Sequence, residues 1–101
     1  MRWGPILVTE SGIATAFDEK RIRFVDAALR EVLDCLASGI EVRGYLYWSL
    51  VDNFEWSLGY GPKFGMVAVD RQTFARRPKP SATWFGRVAQ TRALPDTRSG
   101  I

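Results

Sequence analysis

Apolar and polar positions divide the chain into short continuous runs and one long helical repeat. Pro5-Ile-Leu-Val-Thr9 is a continuous apolar, β-branched run, the pattern of a strand covered on both sides in a parallel sheet. Glu10-Ser11-Gly12 closes it at the carboxyl end. A polar loop follows, with Asp18 placed to cap a helix and Glu19 in its first turn. Ile22, Val25, Leu29, Val32 and Leu36 then recur at steps of three and four, which gives an amphipathic helix of about twenty residues with Gly39 as its stop signal. Ile40 to Trp48 reads as a second strand, with Gly44 where neighbouring groups crowd in. A long loop runs from Ser49 to Lys63, and Phe64 to Asp70 is a short extra strand. Arg71 to Lys79 is a basic connection rich in turn residues. Ser81 can cap a last helix carrying Trp84, Phe85, Val88 and Leu94, and residues 95–101 have the composition of a disordered tail. The order strand, helix, strand, loop, helix predicts an α/β chain of two consecutive βα units, with a parallel pair joined by a right-handed crossover. Ligands bind such units at the carboxyl ends of the strands, where Glu10 and the segment after Tyr47 fall.

Those two ends carry unusual chemistry. The twelve-residue run Tyr45-Leu-Tyr-Trp-Ser-Leu-Val-Asp-Asn-Phe-Glu-Trp56 interleaves aromatic rings with two carboxylates, Asp52 and Glu55, and the amide of Asn53. Such a mixture makes a poor core, because every buried carboxylate needs a partner. It makes a good sugar site, where flat rings cover the C–H faces of a pyranose and carboxylates take its hydroxyls. Each residue also has a plainer reading. Glu10 alone is equally a loop acid or a capping acid, and half-buried Trp48 and Trp56 alone are core residues. Phe64 suits a purely structural role as well. Asp52 and Asn53 read as groups that hold a loop by satisfying backbone N–H. Tyr45 and Tyr47 read as packing residues, and Cys35, beside the apolar stripe of the helix, as a small core residue.

Composition narrows the classes. A chain of 101 residues, 47% hydrophobic and 25% charged, describes one small globular domain. No apolar run approaches the roughly 20 residues of a membrane span, so no membrane partner is expected. Met1-Arg-Trp-Gly-Pro5 lacks the apolar segment of a signal peptide, and the single Cys35 leaves no internal disulfide; a cytoplasmic protein is expected. With no His and one Cys, zinc is not expected. The net charge of +3 is dispersed apart from Arg76-Arg77-Pro78-Lys79, which reads as a solvated face rather than a nucleic-acid surface.

Ile6-Leu-Val-Thr-Glu-Ser-Gly12 and Trp48-Ser-Leu-Val-Asp-Asn-Phe-Glu-Trp56, in that order, resemble the end of a family 1 glycoside hydrolase of the retaining β-glucosidase type. The family signatures are T-E-N-G, matched with Ser11 in place of Asn, and W-S-L-x-D-N-F-E-W, matched in full. The resemblance implies that residues 1–94 are the C-terminal portion, the last two βα units, of a (β/α)8 barrel, about a quarter of the family's length. A whole barrel takes about 250 residues or more. It implies that Glu10 is the nucleophile and Trp48 the platform beneath the glycone. Glu55 would accept from the sugar O4 and O6 hydroxyls, Trp56 would donate its indole N–H, and Phe64 would close the pocket. A Glu at position 55 favours unphosphorylated sugars, since relatives that cleave 6-phosphoglycosides typically carry Ser there. No cofactor or metal is implied. The family's acid/base Glu lies in an N-E-P motif, and no Asn-Glu-Pro occurs in this chain. The expected partners are therefore a β-glycoside and the missing N-terminal barrel portion. Met1 just ahead of the first strand fits a truncated reading frame or a split gene. The alternative is a non-catalytic carbohydrate-binding fragment or an inactive remnant.

Overall fold

The computed structural model describes residues 4–53, 59 and 61–95, so the tail expected after Leu94 lies almost wholly outside the described residues. The chain is α/β, in the order β1 (Ile6–Val8), α1 (Asp18–Ala37), β2 (Val42–Tyr45), β3 (Val67–Val69), β4 (Arg76–Pro78) and α2 (Pro80–Thr91). β1 and β2 pair in parallel, with Leu7 opposite Gly44 and Val8 opposite Tyr45, and α1 connects them. That is the βαβ unit expected from the periodicity. Gly44 lies where crowding was expected: a Cβ there would come within 2.6 Å of Leu7 Cδ1.

The strands are shorter than the apolar runs because pairing stops where the partner stops. Ile6 and Leu7 are 41% and 53% exposed, so β1, with the pattern of a strand covered on both sides, has its cover incomplete within this chain. β3 and β4 form an antiparallel hairpin, with Ala68 opposite Arg77. The residues 76–78 thus belong to a strand rather than to the irregular connection expected there. Asp70 shapes the turn: its Oδ1 accepts from the Gln72 and Thr73 amides, 2.8 and 3.2 Å away.

Gly39 ends α1 as the sequence predicts. It takes φ +88°, its amide donates to Leu36 O, and the Ile40 amide reaches back to Cys35 O, a pair of bonds that satisfies the last carbonyls. The helix start differs from the expectation. Phe17 is the N-cap, and Asp18 is the first helical residue. Its carboxylate serves the other helix: Oδ2 accepts from the Ser81 amide at 2.7 Å and Oδ1 from Ser81 Oγ at 2.8 Å. Ser81 is therefore the capped residue, not the cap, and Lys79 holds the N-cap position of α2. α2 ends at Thr91, before Leu94, with Arg92 in the left-handed region at φ 57°.

Arg21, fully buried, completes the junction. It donates to Asp18 Oδ1 at 2.6 Å, to Tyr47 OH at 3.1 Å, and to the Thr15 and Lys63 carbonyls at 2.6 and 2.5 Å. Ile22, Val25 and Met66 form the buried apolar centre among the described residues, and Phe85 of α2 packs against Tyr45 and Tyr47 at ring separations of 6.3 and 6.5 Å. Asp18→Ala should cost about 3–5 kcal/mol, because it leaves the Arg21 guanidinium buried without its counter-charge. Ser81→Ala should cost only about 1 kcal/mol. Denaturant midpoints of the two variants check this order, and equal losses would show that Arg21 does not depend on the carboxylate.

Candidate functional site

Backbone hydrogen bonds carry the two chain segments beyond β1 and β2 onward as neighbours. The Leu46 amide donates to Val8 O at 2.9 Å, and the Trp48 amide donates to Ser11 O at 2.9 Å. Glu10 is exposed, next to that second bond. Gly12 lets the segments approach closely, since a Cβ there would stand 2.0 Å from Trp48 O, a backbone atom that cannot swing away. Ser11, where the family motif has Asn, is itself anchored: Tyr45 OH donates to its Oγ at 2.8 Å.

Trp48 is 42% exposed, and the Trp48–Ser49 peptide is cis. From there the chain runs beside β3. The Ser49 amide faces Phe64 O at 3.5 Å, Met66 donates to Ser49 O, Val67 donates to Leu50 O, and Asp52 donates to Val67 O at 3.0 Å. Glu10, Trp48 and Phe64 therefore sit on three neighbouring backbone segments at the carboxyl end of the parallel pair. Glu55 and Trp56 lie outside the described residues.

Asp52 holds the loop, as its residue type suggests. Its Oδ1 accepts from the Gly65 amide at 2.9 Å, and its carboxylate pairs with Lys79 Nζ at 3.1 Å. Lys79 also donates to Gly65 O at 2.8 Å. The companion expectation for Asn53 is not met, since its buried Oδ1 has no hydrogen-bond partner. The expectation for the basic run divides: Arg76 and Arg77 are exposed, whereas the Lys79 side chain is only 18% exposed and paired. Lys79 and Arg21 were not singled out by the sequence. The i, i+3 spacing of Asp18 and Arg21 hinted at a pair, but nothing local signalled the contacts across the fold.

Burial raises the Tyr45 and Tyr47 hydroxyls above the usual tyrosine value; the bonds to Ser11 and to Arg21 oppose that shift in part. Folded-state values above the unfolded ones contribute stability that is fully present below pH ~10 and is lost as pH rises through the folded values. The melting temperature should therefore fall above pH ~10, and less steeply in Tyr45→Phe. An identical alkaline slope in that variant would remove Tyr45 from the account. Among the described residues no group of three or more His, Cys, Asp or Glu could hold a metal ion, and no helix is long and apolar enough to cross a membrane.

Residues 2–94 match the family described as glycosyl hydrolase family 1, and the chain belongs to that family. It is 41% identical over 95 residues to beta-glucosidase 38 of Oryza sativa subsp. japonica, covering 85% of this chain and 19% of that protein. Its structure superposes on a beta-glycosidase from Pyrococcus horikoshii with a TM-score of 0.91 and 46% identity, over 96% of this chain and 24% of the other. A beta-glucosidase from Thermotoga maritima in complex with castanospermine matches with a TM-score of 0.87 and 34% identity, over 91% and 23%. The chain thus spans about one fifth to one quarter of the length of these three relatives.

Proposed function

We propose that this chain is the last two βα units of a family 1 barrel and supplies the attacking half of a retaining β-glycosidase site for unphosphorylated β-glycosides. The observation that carries the reading is the backbone ladder linking Ser11 to Trp48 and Ser49 to Phe64, which brings the segments of Glu10, Trp48 and Phe64 together at one end of the parallel pair.

In this reading the Glu10 carboxylate attacks the anomeric carbon while the bond to the leaving oxygen breaks, giving a glycosyl ester on Glu10. Water then attacks the same carbon, giving up a proton to the group that had protonated the leaving oxygen, and so releases the sugar and returns the Glu10 carboxylate. Trp48 covers the apolar face of the ring, Glu55 and Trp56 take its hydroxyls, and Phe64 closes the pocket. The leaving oxygen needs a proton from a second carboxyl about 5–5.5 Å from the first. A segment outside this chain supplies that group, since Asn-Glu-Pro does not occur within these 101 residues. The partner is accordingly the remaining six units. The same lack favours, for the chain by itself, a second reading as a carbohydrate-binding fragment without turnover or an inactive remnant.

Trapping tests the assignment. A 2-deoxy-2-fluoro β-glucoside, incubated with the chain and the remaining units, should label Glu10, read by peptide mapping. A label on Glu55 or elsewhere would overturn these roles.

A further inference from the structure

Lys63, Phe64 and Gly65 present three successive backbone carbonyls, and each accepts a hydrogen bond from a side chain elsewhere in the fold. Lys63 O takes Arg21 Nη2 at 2.5 Å as well as the Thr15 amide at 3.0 Å. Phe64 O takes Tyr47 OH at 2.7 Å. Gly65 O takes Lys79 Nζ at 2.8 Å. A loop carbonyl is ordinarily satisfied by water, so three consecutive side-chain donors, two of them cationic and largely removed from solvent, are a costly arrangement for merely ending a loop. The donors come from α1, from the residue two positions past β2, and from the N-cap of α2, so three separate parts of the chain bear on residues 63–65.

Gly65 completes the hold. A Cβ there would meet Asp52 N at 2.2 Å and the Val51 carbonyl carbon at 2.4 Å, so only glycine lets the motif loop lie against this segment. Asp52 joins the two sides, accepting from Gly65 N–H while pairing with Lys79.

We propose that Arg21, Tyr47 and Lys79 form a three-point clamp whose role is to fix Phe64 against the bound sugar, and that they are positioning residues of the site. This rests on the glycosidase reading of that site. The reason for such a device is geometric: a misplacement of about 1 Å at a binding group can cost 10²-fold in rate.

The test uses the whole 101-residue chain with Lys79→Met and Tyr47→Phe, the second removing a single hydroxyl and leaving the fold's packing in place. Hydrogen exchange of the Gly65 amide reads the clamp. Titration with castanospermine, alone and with the remaining barrel units present, reads the site. Exchange should accelerate at least about tenfold in Lys79→Met and castanospermine affinity should fall about tenfold in both variants, the scale of one lost charged or well-buried hydrogen bond. Lys79→Arg, which keeps a cation, should recover part of both. Unchanged exchange in Lys79→Met overturns the clamp, whether or not the sugar analogue binds. Faster exchange with unchanged affinity overturns its role at the site and leaves the glycosidase reading standing. No binding by the unsubstituted protein even with the remaining units overturns that reading, and the inference with it.

Discussion

Glu10→Gln, in the chain assembled with the rest of a family 1 barrel, should reduce turnover of an aryl β-glucoside on the order of 10⁴-fold or more, the scale on which an attacking side chain is missed elsewhere. Binding of the neutral β-glucoside itself should change by no more than a few-fold. The amide is nearly isosteric with the carboxylate but cannot act as an anionic nucleophile, so the loss falls on the covalent step. Its placement supports a specific effect: Glu10 is exposed and no described hydrogen bond or ion pair of the fold uses its side chain, so the substitution leaves β1 and the Ser11–Trp48 bond intact. Glu55→Gln provides the contrast. It should weaken recognition of the glycone by about 1–2 kcal/mol, because a charge-assisted hydrogen bond becomes a neutral one, and reduce the rate only in part. Comparable losses in the two variants, or near-normal turnover in Glu10→Gln, would mean that the nucleophile lies elsewhere.

The βαβ unit was legible because its signals are local. The period of α1 needs only one helix face, Gly39 needs only its own left-handed backbone, and the β1 run needs only apolar residues in sequence. The misassigned caps show where that stops. Asp18 carries the right side chain just where a helix starts, yet its carboxylate reaches Ser81, a residue 63 positions away. Local pattern cannot distinguish a group that caps its own helix from one that caps a neighbour. β4 was missed for a different reason: Arg76, Arg77 and Pro78 are all exposed, so no alternation of apolar and polar positions marks the strand.

The site was legible to the extent that its residues sit in contiguous motifs. Glu10 and Trp48 follow β1 and β2, Phe64 precedes β3, and the fold sets their segments side by side. The groups that hold those segments were not legible. Lys79 looks like one member of a solvated basic run until Asp52 and Gly65 O are found against it, and Arg21 looks like a surface residue of an amphipathic helix until it is found with no exposure at all. Cations that bind backbone carbonyls leave no trace in sequence spacing, because their acceptors are not side chains.

The chain by itself should self-associate or melt broadly, and should show no enzyme-like hydrolysis of an alkyl β-glucoside. Its surface area is 7502 Å², against about 5,800 Å² for a compact monomer of this mass. Its radius of gyration is 15.2 Å, against about 12.7 Å for a compact domain of this length. Large apolar side chains are exposed among the described residues: Leu46 and Leu50 are 53% and 70% exposed along the segment beside the site, and Leu33, Leu36 and Ile40 are exposed around the end of α1. Between α1 and the parallel pair runs an open groove lined by Ile6, Val8, Val32, Cys35 and Val42. Among the described residues β1 and β2 form a two-stranded sheet, so each keeps an edge that no described residue pairs. On the proposed reading, supplying the remaining six units as a separate polypeptide should address the chemistry and the stability together, by bringing a proton donor and covering the apolar face. A partner present at about a hundredfold over its dissociation constant adds about 2.7 kcal/mol, which for a chain of this size raises the melting temperature by roughly 10 °C or more. Loss of the proton donor alone forfeits about 10²–10⁴ in rate, so hydrolysis should appear only in the mixture. A chain that runs as a single monomeric species, melts sharply, and neither gains stability nor acquires activity when the remaining units are added would refute the assembly on which the glycosidase reading depends.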